Sequence, residues 1–215
     1  MNVLLDNLDI FVTGFRNTLI MFFASGLIAL VLGTIVGSFR VSPVAPMRAL
    51  GTIYVNLVRN TPLTLIFFFF VFGYPKLGLP RADYIVLAII ALSLYTATYV
   101  AEALRSGINT VPLGQAEAAR AIGLTFGQSM TLVVLPQAFR AIIPPLMNVF
   151  IALLKNTTIA AGFSVLDAGA IRAYLSERGE PQLVVLLWVA VIFIALAALL
   201  SWAQRALEKK WRLAR

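Results

Sequence analysis

Few side chains in this sequence can do chemistry, and most of them are charged. The 215 residues include no Cys and no His. That excludes disulfides, thiolate or imidazole metal ligation and histidine acid–base catalysis. The G-x-x-x-x-G-K-[ST] loop that cradles nucleotide phosphates is also missing. No catalytic residue, metal site or cofactor is expected in this chain. The notable groups are ionisable residues set in apolar surroundings: Arg59, Glu102 and Lys155. A charge at bilayer depth costs at least ~2.5–3.5 kcal/mol on insertion scales, so such a group faces a bundle interior or a wet cavity. Tyr95, Tyr99 and Glu102 fall at i, i+4 and i+7, one face of a helix. Asn60 and Thr61 adjoin Arg59, while Asn156, Thr157 and Thr158 adjoin Lys155. These small polar groups can bind a carboxylate or satisfy a broken helix.

The elements that must position these residues are membrane spans. The composition is 60% hydrophobic and 12% charged. Soluble domains carry roughly 45–50% apolar and about 25% charged residues. A chain this short cannot hide the difference in one water-soluble core. Met1 to Asp9 has two aspartates and no basic stretch, so the first apolar run reads as a retained span. A bilayer core takes about 20 apolar residues per helix. Asn17–Phe39, Tyr84–Ala101 and Leu183–Ala203 are charge-free runs of that order. Leu63–Phe72 is about 15 Å long at helical rise and must be extended back through Arg59 and Pro62 to about Met47. Ala141–Leu154, about 21 Å, continues towards Phe163. The expected fold is an all-α integral membrane protein, one domain over 1–215. About five spans are expected, near 15–39, 47–73, 84–104, 137–163 and 183–204. Pro62, Pro144 and Pro145 are expected kinks.

Charge gives the orientation. With the N-terminus outside and the C-terminus in the cytoplasm, the inner segments hold Arg40, Arg48, Arg105, Arg120, Arg140, Arg205, Lys209, Lys210, Arg212 and Arg215. The outer segments hold only Arg16, Lys76, Arg81, Arg172 and Arg178. This positive-inside excess accounts for the net charge of +8 without nucleic acid. The tail from Arg205 forms a basic collar beside anionic lipid, or a simple stop-transfer anchor.

Between the third and fourth spans, 105–136 turns small and polar. Gln115–Ile122 reads as a short helix ended by Gly123, a residue suited to a C-cap. Leu124–Leu135 reads as a second short helix running to Pro136. Small alanines on an exposed helix make a low profile that fits a partner's groove. The plainer reading is an amphipathic helix at the membrane interface.

The stretch EAARAIGLTFGQSMTLVVLP, Glu117 to Pro136, resembles the EAA loop of binding-protein-dependent ABC importer permeases, with Val133 where the pattern usually has Ile. VRNTPLTLIFF (Val58–Phe68), YTATYVAEALRSGI (Tyr95–Ile108) and LLKNTTIA (Leu153–Ala160) resemble elements of the polar amino-acid permeases, in family order. The wording is most similar to the glutamate-type members. The resemblance implies a cytoplasmic coupling loop in which Glu117, Ala118, Ala119, Gly123, Leu135 and Pro136 engage an ATPase. It also implies a multi-pass permease of the cell membrane, without its own ATP site. ATP and Mg would be bound by a partner ATPase dimer. A second permease, a paralogue rather than a second copy, and an extracytoplasmic solute-binding protein complete the expected assembly. The substrate would be a polar amino acid, glutamate first. Arg59, Asn60, Thr61, Tyr95, Tyr99, Glu102, Lys155, Asn156 and Thr157 are the candidates for its pathway. Arg59 and Lys155 would draw an anionic amino acid into a cavity near mid-membrane. The structural alternative is pairing of either cation with Glu102, or capping of helix carbonyls. Glu102 itself can pair with Arg105 at i, i+3. The competing class is an ion-coupled secondary transporter or channel, but such folds often carry internal repeats and none is visible. A scaffold without transport is disfavoured by the intramembrane charges.

Three smaller features remain. Gly33 and Gly37 form a GxxxG that either admits a neighbouring helix or reflects ordinary glycine usage in membrane helices. Phe67–Phe70 reads as lipid-facing or packing surface. Trp188, Trp202 and Trp211 read as interfacial anchors.

Overall fold

The computed structural model describes residues 2–80 and 82–211, with side-chain placement left open for Asn2, Glu208, Lys210 and Trp211. Arg81, Arg212 and Arg215, three of the charges used for orientation, lie outside the described residues, as does the Trp211 side chain. The chain is built from helices α1 (Asn2–Asp6), α2 (Leu8–Val41), α3 (Ala45–Arg59), α4 (Leu63–Phe68), α5 (Tyr84–Asn109), α6 (Leu113–Ala121), α7 (Phe126–Gln128), α8 (Leu135–Asn156), α9 (Ile171–Glu177) and α10 (Gln182–Trp211). Wide helical turns extend α4 over Phe69–Gly73 and join α7 to α8 over Ser129–Val134. Tight turns follow at Tyr74–Leu77 and Thr157–Phe163.

Among the described residues, four helical stretches are long and apolar enough to cross a bilayer: Leu8–Val41, Tyr84–Asn109, Phe126–Phe163 and Gln182–Leu207. The fifth expected span, 47–73, is not one straight helix. α3 and the stretch Leu63–Leu77 meet at 95°, as a broken span or a re-entrant loop. Pro62 has no N–H to continue the ladder, and the residue before a proline is pushed out of the helical region. α3 therefore ends on Asn60 N–H to Asn56 and Thr61 N–H to Val58, and a new helix starts with Leu65 N–H donating to Pro62 O. Pro144 and Pro145, expected as kinks, sit within α8 without ending it. Pro136 does not terminate a loop helix either. It lies in the first turn of α8, where its missing N–H is tolerated, directly after the wide turn.

The core forms where glycines let α2 approach α5. A Cβ at Gly33 would lie 2.5 Å from Val100 Cβ and 2.8 Å from the Ala97 carbonyl oxygen, and one at Gly37 would lie 3.2 Å from Leu104. The GxxxG is a packing device here. Beside it, Met21, Phe22, Leu63, Phe67, Leu92 and Leu153 make the central core. Phe67 is buried and stacks on Phe163 at 5.1 Å, whereas Phe68 and Phe69 are exposed. Trp188 packs on the cluster of Phe11, Phe15, Ile171 and Leu175, and so serves packing, while Trp202 is exposed. The α8–α9 connection docks on α2. Ala168 N–H donates to Thr18 Oγ1 at 2.9 Å, and Asn17 Nδ2 donates to Leu166 O at 2.8 Å.

Candidate functional site: a charged cluster, a polar cavity and a helical handle

Three guanidinium groups converge on one carboxylate where α2 and α3 end and α5 nears its end. Arg40 Nη1 donates to Glu102 Oε2 at 2.5 Å. Arg105 Nε donates to Glu102 Oε1 at 2.9 Å, and its Nη2 contacts the same oxygen. Arg59 Nη1 stands off at 3.7 Å from Oε2. The i, i+3 pairing of Glu102 with Arg105 is present, and so is the structural pairing of Arg59 with Glu102. Arg40 is the member that spacing could not reveal. It is 62 residues away in sequence, and its side chain is 11% exposed. The cluster holds three positive charges against one negative charge.

A polar strip on α5 runs from this cluster into a cavity. The Arg59 guanidinium lies 5.3 Å from the centroid of the Tyr99 ring, within cation–π range. The Tyr99 and Tyr95 hydroxyls are 2.9 Å apart. Tyr95, Thr96 and Tyr99 on α5, with Asn148, Val149 and Asn156 on α8, line a cavity of about 400 Å³. The i, i+4, i+7 face of α5 and the Asn156 candidate are thus brought together. Asn148 was not foreseen, being one polar residue in an apolar run. No acid lines this cavity among the described residues.

The other candidates lie apart. Asn60 caps α3, and the Thr61 hydroxyl donates to Leu57 O at 2.8 Å. Thr157 is buried with its hydroxyl on Leu154 O at 2.7 Å. Lys155 is exposed on a different face, in a hollow of about 410 Å³ shared with Thr158, Gly169 and α10. Among the described residues, none of these cavities is lined by both Arg59 and Lys155. A helix turns about 100° per residue, and here Asn156 lines the cavity with α5 while Lys155 lines the hollow with α10.

The 105–136 segment is a helix–turn–helix handle. Glu117 and Ala118 are exposed on α6, while Ala119 is buried, as are Ser129 and Val134 of the wide turn that packs against α6. α6 ends in a Schellman motif. Gly123 takes φ +89°, its N–H donates to Arg120 O, and Leu124 N–H donates to Ala119 O. Two residues later Thr125 and Gln128 form a reciprocal capping box. Leu113 and Ile122 are 81% and 79% exposed, and with Phe126 they give the handle an apolar rim. Leu135 and Pro136 sit where the handle joins α8, beside a groove lined by Gly37, Leu104 and Ile142.

Residues 29–213 match the family described as binding-protein-dependent transport system inner membrane component. The chain belongs to this family. It is 48% identical over 180 residues to the glutamate transport system permease protein GluC of Corynebacterium glutamicum, covering 78% of this chain and 79% of the relative. It is 38% identical over 209 residues to the probable glutamine ABC transporter permease protein GlnM of Bacillus subtilis, covering 97% and 96%. Among solved structures it superposes on an amino acid ABC transporter with histidines at a TM-score of 0.91, with 26% identity and 96% of each chain covered. The chain is a multi-pass permease subunit of an ABC importer, from the amino-acid branch these relatives occupy. The stretch Glu117–Pro136, which resembles the EAA loop, holds the end of α6, all of α7 and the start of α8.

Proposed function

We propose that this subunit carries glutamate across the cell membrane, driven by ATP hydrolysed on a separate subunit. The observation that carries the reading is the cation excess at Arg40, Arg59 and Arg105 beside an acid-free polar cavity. Among the described residues a cationic amino acid finds no counter-ion there, whereas Arg59 lies 5.3 Å from the ring of Tyr99, which lines the cavity. The relatives named for glutamate and glutamine agree with a polar α-amino acid.

In this reading Tyr95, Tyr99 and Asn156 line the route with Asn148. Arg59 supplies the attracting charge, and Lys155, Asn60, Thr61 and Thr157 stand outside it. The N-terminus is extracytoplasmic and the handle cytoplasmic. An ABC ATPase dimer, holding ATP and Mg, grips α6 around Glu117, Ala118 and Ala119. Gly123, Leu135 and Pro136 fix the angle at which that grip pulls α8. Only an element with two arrangements, biased from both ends, can couple hydrolysis to access. A paralogous permease completes the pathway, a solute-binding protein delivers substrate and lipid surrounds the exposed apolar helices. Reconstitution with these partners, followed by uptake of labelled amino acids, tests the reading. ATP-dependent glutamate uptake is expected. Full uptake driven by an ion gradient without ATP refutes it in favour of a secondary transporter.

A further inference from the structure

The groove beside the base of the handle has no part in the transport reading. It encloses about 500 Å³ between α2, α5 and α8, within the size range of ligand sites. Gly37, Leu104, Ile108, Pro136, Ala138 and Ile142 give it an apolar wall. Thr34 and Ser38, one turn apart on α2, add hydroxyls, and Arg140 is the charged residue of the lining. Arg140 is exposed, and its guanidinium makes no hydrogen bond or ion pair among the described residues. Arg40 and Arg105, by contrast, are both held by Glu102. The groove also lies on the far side of α5 from the polar cavity. Leu104 and Ile108 follow Tyr95 and Tyr99 by nine residues, about 900° of helix, which is half a turn away. Depth fits a membrane surface. About 20 helical residues cross the bilayer core. Counted back from Lys155 and Asn156 at the far end of α8, they reach Leu135 and Pro136. Arg140 is then about one turn inside that boundary, where a long side chain extends back to the headgroups.

We propose that this groove seats an anionic phospholipid of the leaflet on the handle side. Its phosphate lies on Arg140 and an acyl chain runs along Leu104, Ile108 and Ile142. A guanidinium takes a phosphate by two parallel charge-assisted hydrogen bonds, which an exposed arginine without a partner is free to make. A lipid tail gains little by leaving other tails. The apolar wall therefore supplies shape, and the cation supplies the preference for an anionic headgroup. The missing side chain at Gly37 leaves the room that the tail occupies. Leu135 and Pro136 line the same groove where the handle joins α8, so the seated lipid fills the joint between the handle and the α2–α5 pair.

The test reads which lipid lies against the groove in the assembled transporter. Val31 is exposed on α2, three residues before Thr34 and outside the groove lining. The chain has no cysteine of its own, so Val31→Cys carries a benzophenone at one place in this subunit. The complex is placed in nanodiscs of equal parts phosphatidylglycerol and phosphatidylcholine and illuminated, and the adducts on this chain are weighed by mass spectrometry. Phosphatidylglycerol adducts should exceed phosphatidylcholine adducts by about five-fold, the effect of one cation beside an anionic headgroup. Adding Arg140→Gln should bring the ratio to that of the disc, and Arg140→Lys should restore most of it. Ile108→Trp, which fills the groove from α5, should abolish the enrichment with Arg140 intact, and it carries the test if Arg140→Gln fails to assemble. Lys155→Gln, at the other end of α8, should leave the enrichment unchanged. Adducts that mirror the disc composition in the unsubstituted groove mean ordinary surrounding lipid and overturn the proposal. An equal loss of enrichment in Lys155→Gln and Arg140→Gln means a general effect of charge and overturns it too. Crosslinking to another subunit in place of lipid assigns the groove to an interface and overturns it as well.

Discussion

Asp167 is the acid whose surroundings suit its charge least, and replacing it by Asn should flatten the pH dependence of stability. It is fully buried in the α8–α9 connection. One oxygen accepts from Ala170 N–H at 2.9 Å, while Oδ2 has no hydrogen-bond partner among the described residues. Burial pushes the carboxyl up from the ordinary 3.8 to about 7, against backbone N–H groups at Ala170, Gly169 and Ala161 that favour the ionised form. Between roughly pH 4 and 7 the folded chain thus binds a proton that the unfolded chain has released. Stability is fully present below that interval and is lost as pH rises through it. At 1.36 kcal/mol per pH unit the whole interval is worth about 4 kcal/mol, a ceiling, of which roughly 3 kcal/mol falls between pH 5 and 7. Asn retains the acceptor facing Ala170 and carries no charge at any pH. Thermal unfolding of wild type and Asp167→Asn in lipid nanodiscs, from pH 5 to 8, reads the difference directly. The wild-type midpoint should fall several degrees relative to the variant as pH rises. Because every other carboxylate is common to both proteins, only the gap between the curves matters. Parallel curves would refute the buried-acid argument.

Gly33→Ala places a methyl 2.5 Å from Val100 Cβ, so α2 and α5 must separate. Overpacking of this kind costs about 1–3 kcal/mol, measurable as a lower unfolding midpoint. Val100→Ala should not rescue it, because the clash is with Cβ itself. At Gly123 there is open space, but φ is +89°. Gly123→Ala should therefore strain the Schellman turn by about 1–2 kcal/mol and lower ATP-driven uptake while the permease still assembles. Glu117→Ala, altering an exposed residue of α6, should do the same without changing stability. Full uptake in both handle variants, compared by transport rate per assembled complex, would remove the handle from the coupling path.

Much of this architecture was legible because membrane insertion penalises charge one helix at a time. The charge-free runs at Asn17–Phe39, Tyr84–Ala101 and Leu183–Ala203 each fall inside a spanning helix of the structure. Gly123 was legible for a similarly local reason, since a C-cap needs positive φ and glycine supplies it cheaply. The bend within the 47–73 stretch was not legible, because apolar length does not report direction. A kink and a 95° corner share the same proline, and the polar triplet Arg59, Asn60, Thr61 before it was the available sign of a full break. The charged cluster was half legible. Glu102 and Arg105 are neighbours on one helix, and Arg59 stood out as a charge in an apolar run.

In sequence Arg40 reads as an inner-loop charge, because its neighbours are those of a helix end. Nothing within a turn of it refers to Glu102. Their meeting depends on Gly33 and Gly37, which let α2 and α5 run close enough for residues 62 positions apart to bond at 2.5 Å. The glycine pair and the cation excess are thus one feature seen at two levels. If α2 stood off by the width of a larger residue, Arg40 would lose its hold on Glu102. Glu102 would then have a stronger claim on Arg59, the cation beside the Tyr99 ring. Gly33→Ala should accordingly lower glutamate affinity as well as stability. That pairing of effects separates a glycine that only packs from one that also sets the charge available to the solute.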